Sequence, residues 1–346
     1  MKVEIITIIS YNYGNRLQNY ALQEYLKNLG VEVYTSLVKP QRYPALRKVR
    51  NILLRIRRKS DKELFAYFNT KIQWKNTNGF SNKDDDTINY YIAGSDQIWN
   101  PLFKFNSDRE FLTFAKKEKR IAYAASIGID KLPEEFKQRY KKNISEFSYV
   151  SVREEAAGKI IEELTGMKVP VVIDPTMLLT VTEWEKVARY SILKINQPYV
   201  VKYFLGIRNP EYDAFINKYA QEHSCQVIDI TRHQECGIAG IGPAEFVYLL
   251  MNCKATFIDS FHGTVFSILF HKPFLSFSRP YEEGYGDMNS RFDTLLNMFG
   301  LKNRYVTTPK DCVEIYTPIN YYHVDRILQE KRKEAKNFLE IALSLK

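Results

Sequence analysis

The feature that most constrains this chain is an alternation of short β-rich runs with amphipathic helical stretches, and it begins at the first residues. Val3 to Ile9 is an apolar, β-branched run that stops at the polar turn Ser10-Tyr11-Asn12-Tyr13-Gly14-Asn15-Arg16. Leu17, Ala21, Leu22, Tyr25, Leu26 and Leu29 then recur at helical spacing, Gly30 stands where a helix C′ residue belongs, and Val31 to Tyr34 resumes extended character. Two strands joined through a helix pair in parallel, so the opening reads as a β-α-β unit of an open α/β sheet. Further strands are expected at Tyr90 to Ala93, Arg120 to Ala124, Tyr149 to Val152 and Val169 to Ile173.

After a Thr182-x-x-Glu185 capping box a second series starts. It runs strand Tyr199 to Leu205, helix Glu211 to Glu222, strand Gln226 to Ile230, helix Pro243 to Asn252, strand Ala255 to Ile258, helix Gly263 to Phe270 and strand Pro273 to Phe277. The expected fold class is α/β, with two Rossmann-like doubly wound domains, residues 1–180 and 195–320, facing a central cleft. A charged amphipathic helix at 324–346 is expected to pack back on the first domain. With 346 residues, 45% of them hydrophobic, the chain can build two cores.

Charge and cysteine usage narrow the function classes. Of the formal net charge of +10, residues 39–62 supply +9 through ten Lys/Arg against Asp61 alone. Within them Leu46, Val49, Ile52, Leu53 and Ile56 recur at helical spacing among the basic residues, predicting a basic amphipathic helix at 45–59. Such a helix either packs on its own domain or rests on an anionic membrane face. No aromatic-basic recognition motif accompanies the charge, so nucleic acid is not an expected partner. Cys225, Cys236, Cys253 and Cys312 are widely spaced with no Cys-x-x-Cys, so neither a disulfide framework nor a metal site is expected, and they read as mostly buried thiols. No run approaches the roughly 20 apolar residues of a membrane span, and the expected location is the cytoplasm. Asn76 to Asp86 reads as a polar loop.

The candidate chemistry sits at strand-to-helix turns, where helix N-termini favour phosphates and carboxylates. Ala255-Thr256-Phe257-Ile258-Asp259-Ser260-Phe261-His262-Gly263 is the sharpest of these. It places Ser260 and His262 at the turn, with Gly263 permitting close backbone approach, and His262 can donate a proton near neutral pH. The turn holding Asn12, Gly14, Asn15 and Arg16, the stretch Gly94-Ser95-Asp96-Gln97-Ile98-Trp99-Asn100 and the stretch Ser126-Ile127-Gly128 each follow a strand and would line the cleft. Arg153 stands at a helix start, where the dipole repels a cation; an anion held there would explain it, and so would a pair with Glu154 or Glu155. Asp174, ending another run, can cap or can orient Arg153.

Taken together, Gly94 to Asn100, Ala124-Ala125-Ser126-Ile127-Gly128, Ser151-Val152-Arg153-Glu154, Asp174-Pro175-Thr176 and Asp259 to Gly263 resemble the polysaccharide pyruvyl transferase family, from the first strand to about Arg279. The resemblance implies a glycosyltransferase-B-like pair of domains and transfer of a pyruvyl group from phosphoenolpyruvate to sugar hydroxyls as a ketal. The acceptor it implies is an exopolysaccharide or capsule sugar, or a lipid-linked precursor at the inner membrane face. It assigns His262 as the general acid and Arg153 to the donor, with phosphoenolpyruvate as co-substrate and no cofactor or metal. Two departures matter. Many members carry arginine two residues before the histidine, where this chain has Ser260, so a donor contact would come from Arg279 or Arg291. An acid often follows the glycine of the first turn, where this chain has Asn15, and an amide cannot act as a base. Two other readings stay open: a nucleotide-sugar-dependent glycosyltransferase of the same architecture, and a non-catalytic sugar- or anion-binding protein.

Overall fold

The computed structural model describes residues 1–37, 60–76, 84–103, 106–279 and 289–345. The expected basic helix at 45–59 lies outside them, as do residues 77–83 of the expected polar loop.

Both halves form parallel sheets. In the first, β1 (Lys2–Ile6), β2 (Glu32–Leu37), β3 (Trp74–Asn76), β4 (Tyr90–Ala93), β5 (Arg120–Ala125) and β6 (Tyr149–Val152) lie in the order β3-β2-β1-β4-β5-β6. In the second, β7 (Tyr199–Tyr203), β8 (Gln226–Asp229), β9 (Thr256–Ile258), β10 (Phe274–Phe277) and β11 (Tyr305–Val306) lie in the order β11-β10-β9-β7-β8. These are two doubly wound orders, and each reverses direction at one crevice: between β1 and β4, and between β7 and β9. The helices that matter below are α1 (Tyr13–Asn28), α2 (Asp61–Asn69), α3 (Glu134–Ile144), α4 (Glu155–Thr165), α5 (Val181–Ala188), α6 (Pro210–Glu222), α7 (Pro243–Asn252), α8 (Phe261–Leu269), α9 (Ser290–Met298) and α10 (Tyr321–Ala342).

An aromatic seam joins the halves. Tyr13 on α1 stacks on Phe246 of α7 at 4.8 Å and on Phe65 of α2 at 5.4 Å, and Trp184 of α5 meets Phe266 of α8 edge-on at 4.8 Å. Pairs of this kind add about 0.5–1.5 kcal/mol each beyond the area they bury. The last helix returns to the first sheet's side, where Arg332 of α10 donates to the carbonyls of Met177 (2.7 Å) and Leu179 (2.6 Å).

Several local expectations shift. Val169 to Ile173 does not form a strand; Val171 makes a single bridge to Val152, because Pro170 accepts from the Val152 amide but has no N–H to continue a ladder. The capping box is Thr180-x-x-Glu183 rather than Thr182-x-x-Glu185, since Thr182 already lies inside α5. The residues Tyr13 to Arg16, expected as a turn, are the first turn of α1, and α8 starts at Phe261 rather than Gly263. The cysteines are unpaired, but only Cys253 and Cys312 are buried; Cys236 is exposed. Among the described residues no helix is long and apolar enough to cross a membrane.

Candidate active site

The two crevices face each other, and the turns that follow β1, β4 and β9 meet there. Asn12 caps α1 by accepting from the Asn15 amide (3.1 Å), and Ser260 caps α8 by accepting from the Gly263 amide (3.4 Å). Each cap satisfies an N–H that the helix cannot. The role of Ser260 in the structure is therefore that of a helix cap.

His262, in the first turn of α8, reaches across to the first domain. Its ring lies directly on Gly14: a Cβ at that position would stand 2.0 Å from Nδ1 and 2.3 Å from Cγ of the imidazole. On its other side Nε2 is 3.4 Å from Oδ2 of Asp174, a close contact without hydrogen-bond geometry. One histidine from the second half is thus held between a glycine and a carboxylate of the first.

The same Asp174 carboxylate organises the cation beside it. Its Oδ2 accepts from Arg153 Nη1 (2.7 Å) and Ser95 Oγ (3.2 Å), while Oδ1 accepts from the amide and hydroxyl of Thr176 (2.9 and 2.7 Å). Asp174 therefore both caps the short 3₁₀ turn Pro175–Met177 and orients Arg153. Arg153 Nη2 also lies 3.5 Å from Asp96, and its guanidinium carbon sits 4.3 Å from the centre of the Phe261 ring. Its Nε and Nη2 are buried and find no hydrogen-bond partner among the described residues. Glu154 does not neutralise it at close range: the nearest approach is 3.9 Å, and Glu154 Oε1 instead accepts from Ser126 Oγ (2.9 Å) and the amides of Ile127 (3.0 Å) and Gly128 (3.1 Å).

Of the remaining candidates, Asp96 accepts from Asn15 Nδ2 (3.3 Å) and from the Gln97 amide (2.9 Å), so both belong to the cluster's edge. Gln97 accepts from Asn100 (2.8 Å) and lies over Gly128. Arg291, in the first turn of α9, approaches the Phe261 ring to 5.8 Å; burial and then the neighbouring Arg153 cation push its pKa down to about 10. Arg279 is folded back on Asp259, donating to its carbonyl from Nη2 (2.8 Å), while the Asp259 carboxylate accepts from the Leu205 and Gly206 amides. Arg16 points elsewhere: it donates to the Ser10 carbonyl (3.2 Å) and lies 5.1 Å from the Trp74 ring. Phe261 and the loop-holding role of Glu154 were not anticipated from sequence. The signal for Phe261 was its place beside His262 at a helix start; for Glu154 there was none beyond its proximity to Arg153.

Burial alone would raise the Asp174 carboxyl, but His262, Arg153 and the Thr176 hydrogen bond outweigh it and hold the group well below the ordinary carboxylate range. A carboxyl depressed on folding stabilises the native state above its unfolded pKa, about 4, and that contribution drains away as pH falls below this value toward the folded one. Asp174→Asn is therefore expected to be less stable than wild type at pH 7, the gap in urea midpoints closing as the solution is acidified below the ordinary carboxylate range. Equal midpoints at neutral pH would contradict this reading of Asp174.

A cavity of about 650 Å³ between α4 and α9 is lined by Glu155, Lys159, Ser290, Asp293 and Asn297, so it begins one residue from Glu154 and from Arg291 and draws on both domains.

Among solved structures the fold is similar to that of UDP-GlcNAc 2-epimerase from Neisseria meningitidis bound to UDP-GlcNAc (TM-score 0.53, 11% identity, 98% of this chain and 99% of that one). It is also similar to UDP-GlcNAc 2-epimerase from Methanocaldococcus jannaschii (TM-score 0.50, 12% identity, 95% and 99%). At such identities the likeness concerns architecture alone, the glycosyltransferase-B-like pairing of two Rossmann-like domains. No curated protein matches the chain by sequence. The pattern of the family described as polysaccharide pyruvyl transferase matches residues 12–280, a span that contains Gly14, Asp96, Arg153, Asp174 and His262. With the match covering most of the chain and taking in the whole His262 cluster, this protein belongs to the polysaccharide pyruvyl transferase family and is a transferase.

Proposed function

We propose that the protein transfers the pyruvyl group of phosphoenolpyruvate to two hydroxyls of a sugar in a surface polysaccharide or its lipid-linked precursor, forming a ketal. The observation that carries this reading is the buried Arg153, whose Nε and Nη2 find no hydrogen-bond partner among the described residues although the side chain is 2% exposed. Leaving such donors dry costs roughly 1–3 kcal/mol or more, and a carboxylate or phosphate entering beside Phe261 would satisfy them. Arg291 lies against the same ring, and the first turns of α1 and α8 meet at Gly14 and His262, which brings two positive helix ends near the cluster.

The imidazole of His262 then stands beside the anion site and supplies the proton that the donor's methylene carbon needs. Protonation there makes the adjacent carbon electrophilic toward a sugar hydroxyl, and phosphate departs with the electron pair of its C–O bond. Arg153 stabilises the charge on the leaving group, and Asp174 fixes the imidazole and the guanidinium relative to each other.

The test is direct. Purified protein is incubated with phosphoenolpyruvate and a panel of methyl hexopyranosides and polyprenyl-diphosphate-linked sugars, and inorganic phosphate and the new ketal methyl group are followed. Wild type is expected to produce both in equal amounts, and His262→Ala to lose about 100-fold or more of the rate. Turnover of a UDP- or GDP-sugar in place of phosphoenolpyruvate would sink the proposal in favour of glycosyl transfer.

A further inference from the structure

The cluster holds three carboxylates within reach of Arg153, and they are not equivalent. The side chains of Asp174 and Glu154 are completely buried, whereas that of Asp96 is 14% exposed. Glu154 Oε1 is occupied by the Ser126 loop, and Asp174 is occupied on both oxygens by Arg153, Ser95 and Thr176. Asp96 is held more loosely. Oδ1 accepts from its neighbour's amide at 2.9 Å and stands 3.5 Å from Arg153 Nη2, and among the described residues Oδ2 has one long 3.3 Å bond, from Asn15 Nδ2.

Two further facts fix its state. Asn15 Oδ1 accepts from the Ser10 amide (3.2 Å), so the amide nitrogen of Asn15 must face Asp96, where it can donate but cannot accept. Asp96 also adopts the left-handed conformation (φ 66°), which is strained for most side chains and is tolerated by Asp and Asn; backbone held this way is aimed rather than relaxed. Burial works against its charge, but His262, Arg153, Arg291 and the Asn15 bond outweigh it and keep Asp96 ionised.

We propose that Asp96 is the catalytic base that accepts the proton of the attacking sugar hydroxyl. This rests on the pyruvyl-transfer reading above and assigns the half of that reaction which Asn15 cannot perform. As the sugar oxygen bonds to the central carbon of the donor, its proton passes to Asp96 while His262 delivers one to the methylene carbon. The C–O bond to phosphate then breaks, and the second hydroxyl adds to the same carbon. Of the two hydroxyl protons, one restores His262 by way of Asp96 and the other departs with the phosphate as hydrogen phosphate, so no oxidant or further reactant is consumed.

Asp96→Asn suits the left-handed backbone and so should fold. It is expected to lower kcat for ketal formation by about 100-fold or more, while the KM for phosphoenolpyruvate and the thermal stabilisation by phosphoenolpyruvate stay as in wild type. The exchanged pair, Asn15→Asp with Asp96→Asn, keeps one carboxylate and one amide in hydrogen-bond contact, and is expected to recover about tenfold or more over Asp96→Asn alone. Unchanged kcat in Asp96→Asn, a loss of rate that tracks a loss of phosphoenolpyruvate binding, or no recovery in the exchanged pair would each overturn the assignment while leaving pyruvyl transfer intact. A wild type with no turnover of phosphoenolpyruvate overturns the underlying reading, and this assignment with it.

Discussion

Gly14→Ala is expected to cost about 100-fold in kcat without unfolding the protein. Alanine suits the second position of α1 better than glycine does, by about 1 kcal/mol of helix propensity, so the local backbone has no reason to object. The new methyl group would nevertheless fall 2.0 Å from Nδ1, 2.3 Å from Cγ and 2.7 Å from Cβ of His262. Contacts that short cannot be absorbed by rotating a flexible tip, because the clashing atoms include the ring and the root of the side chain. The imidazole must move by more than an ångström, and its approach to Asp174 is lost. Misplacing a catalytic group by about 1 Å is enough for a 10²-fold loss. Circular dichroism should match wild type, the melting temperature should fall by no more than an overpacking cost of about 1–3 kcal/mol implies, and turnover should fall far more; a variant with normal kcat would mean that the His262 position seen here is not the working one.

Arg153→Ala carries the second large effect, and it is on stability as much as on activity. The guanidinium is the cation that Asp174 meets at 2.7 Å and Asp96 at 3.5 Å, with the Glu154 carboxylate 3.9 Å away. Removing it leaves the fully buried Asp174 carboxylate without the cation it meets at 2.7 Å and takes away the contact with the Phe261 ring. Breaking a buried pair from one side costs about 3–5 kcal/mol, a large share of the roughly 5–15 kcal/mol that holds a domain folded. Urea melts at pH 7 should show a loss of that order. Arg153→Lys keeps the charge but not the planar fork, so it should recover much of the stability and little of the donor affinity. Equal loss of stability in both variants would mean that charge is not what Arg153 contributes.

How much of this was legible beforehand depended on whether the signal was local. The β-α-β alternation, the switch from Ile258 to Ser260 and the cation at a helix start are local signals, and they mark turns that the structure brings together. The boundaries slipped by two residues where two patterns compete. Thr180-x-x-Glu183 and Thr182-x-x-Glu185 both read as capping boxes, and only the burial of Trp184, Val187 and Ala188 in α5 chooses between them. The caps Asn12 and Ser260 are followed by aromatic residues that also suit a turn, so the sequence pattern sets the helix starts later than the observed Tyr13 and Phe261. The three-residue β3 and two-residue β11 carry too little pattern to be seen, and they form because a neighbouring strand offers its edge.

The site shows the same division. Asp174 lies 21 positions from Arg153 and 88 from His262, and nothing in the spacing says that a single carboxylate meets both. That fact follows from the folding of two switch points against each other. The same holds for Gly14, whose glycine looked like turn chemistry and proves to be space for an imidazole from the other domain. Arg16, by contrast, looked like a cleft residue from its position in the turn, and one rotation along the helix sends it to Trp74.

We propose the corner where Arg153, His262 and the first turns of α1 and α8 meet as a phosphoenolpyruvate site. The most direct measurement is thermal stabilisation of the wild-type protein by phosphoenolpyruvate, set against inorganic phosphate, pyruvate, UDP and GDP, with Arg153→Lys as the control. The expected result is a shift selective for phosphoenolpyruvate that is lost in the lysine variant. A shift with UDP or GDP and none with phosphoenolpyruvate would contradict it.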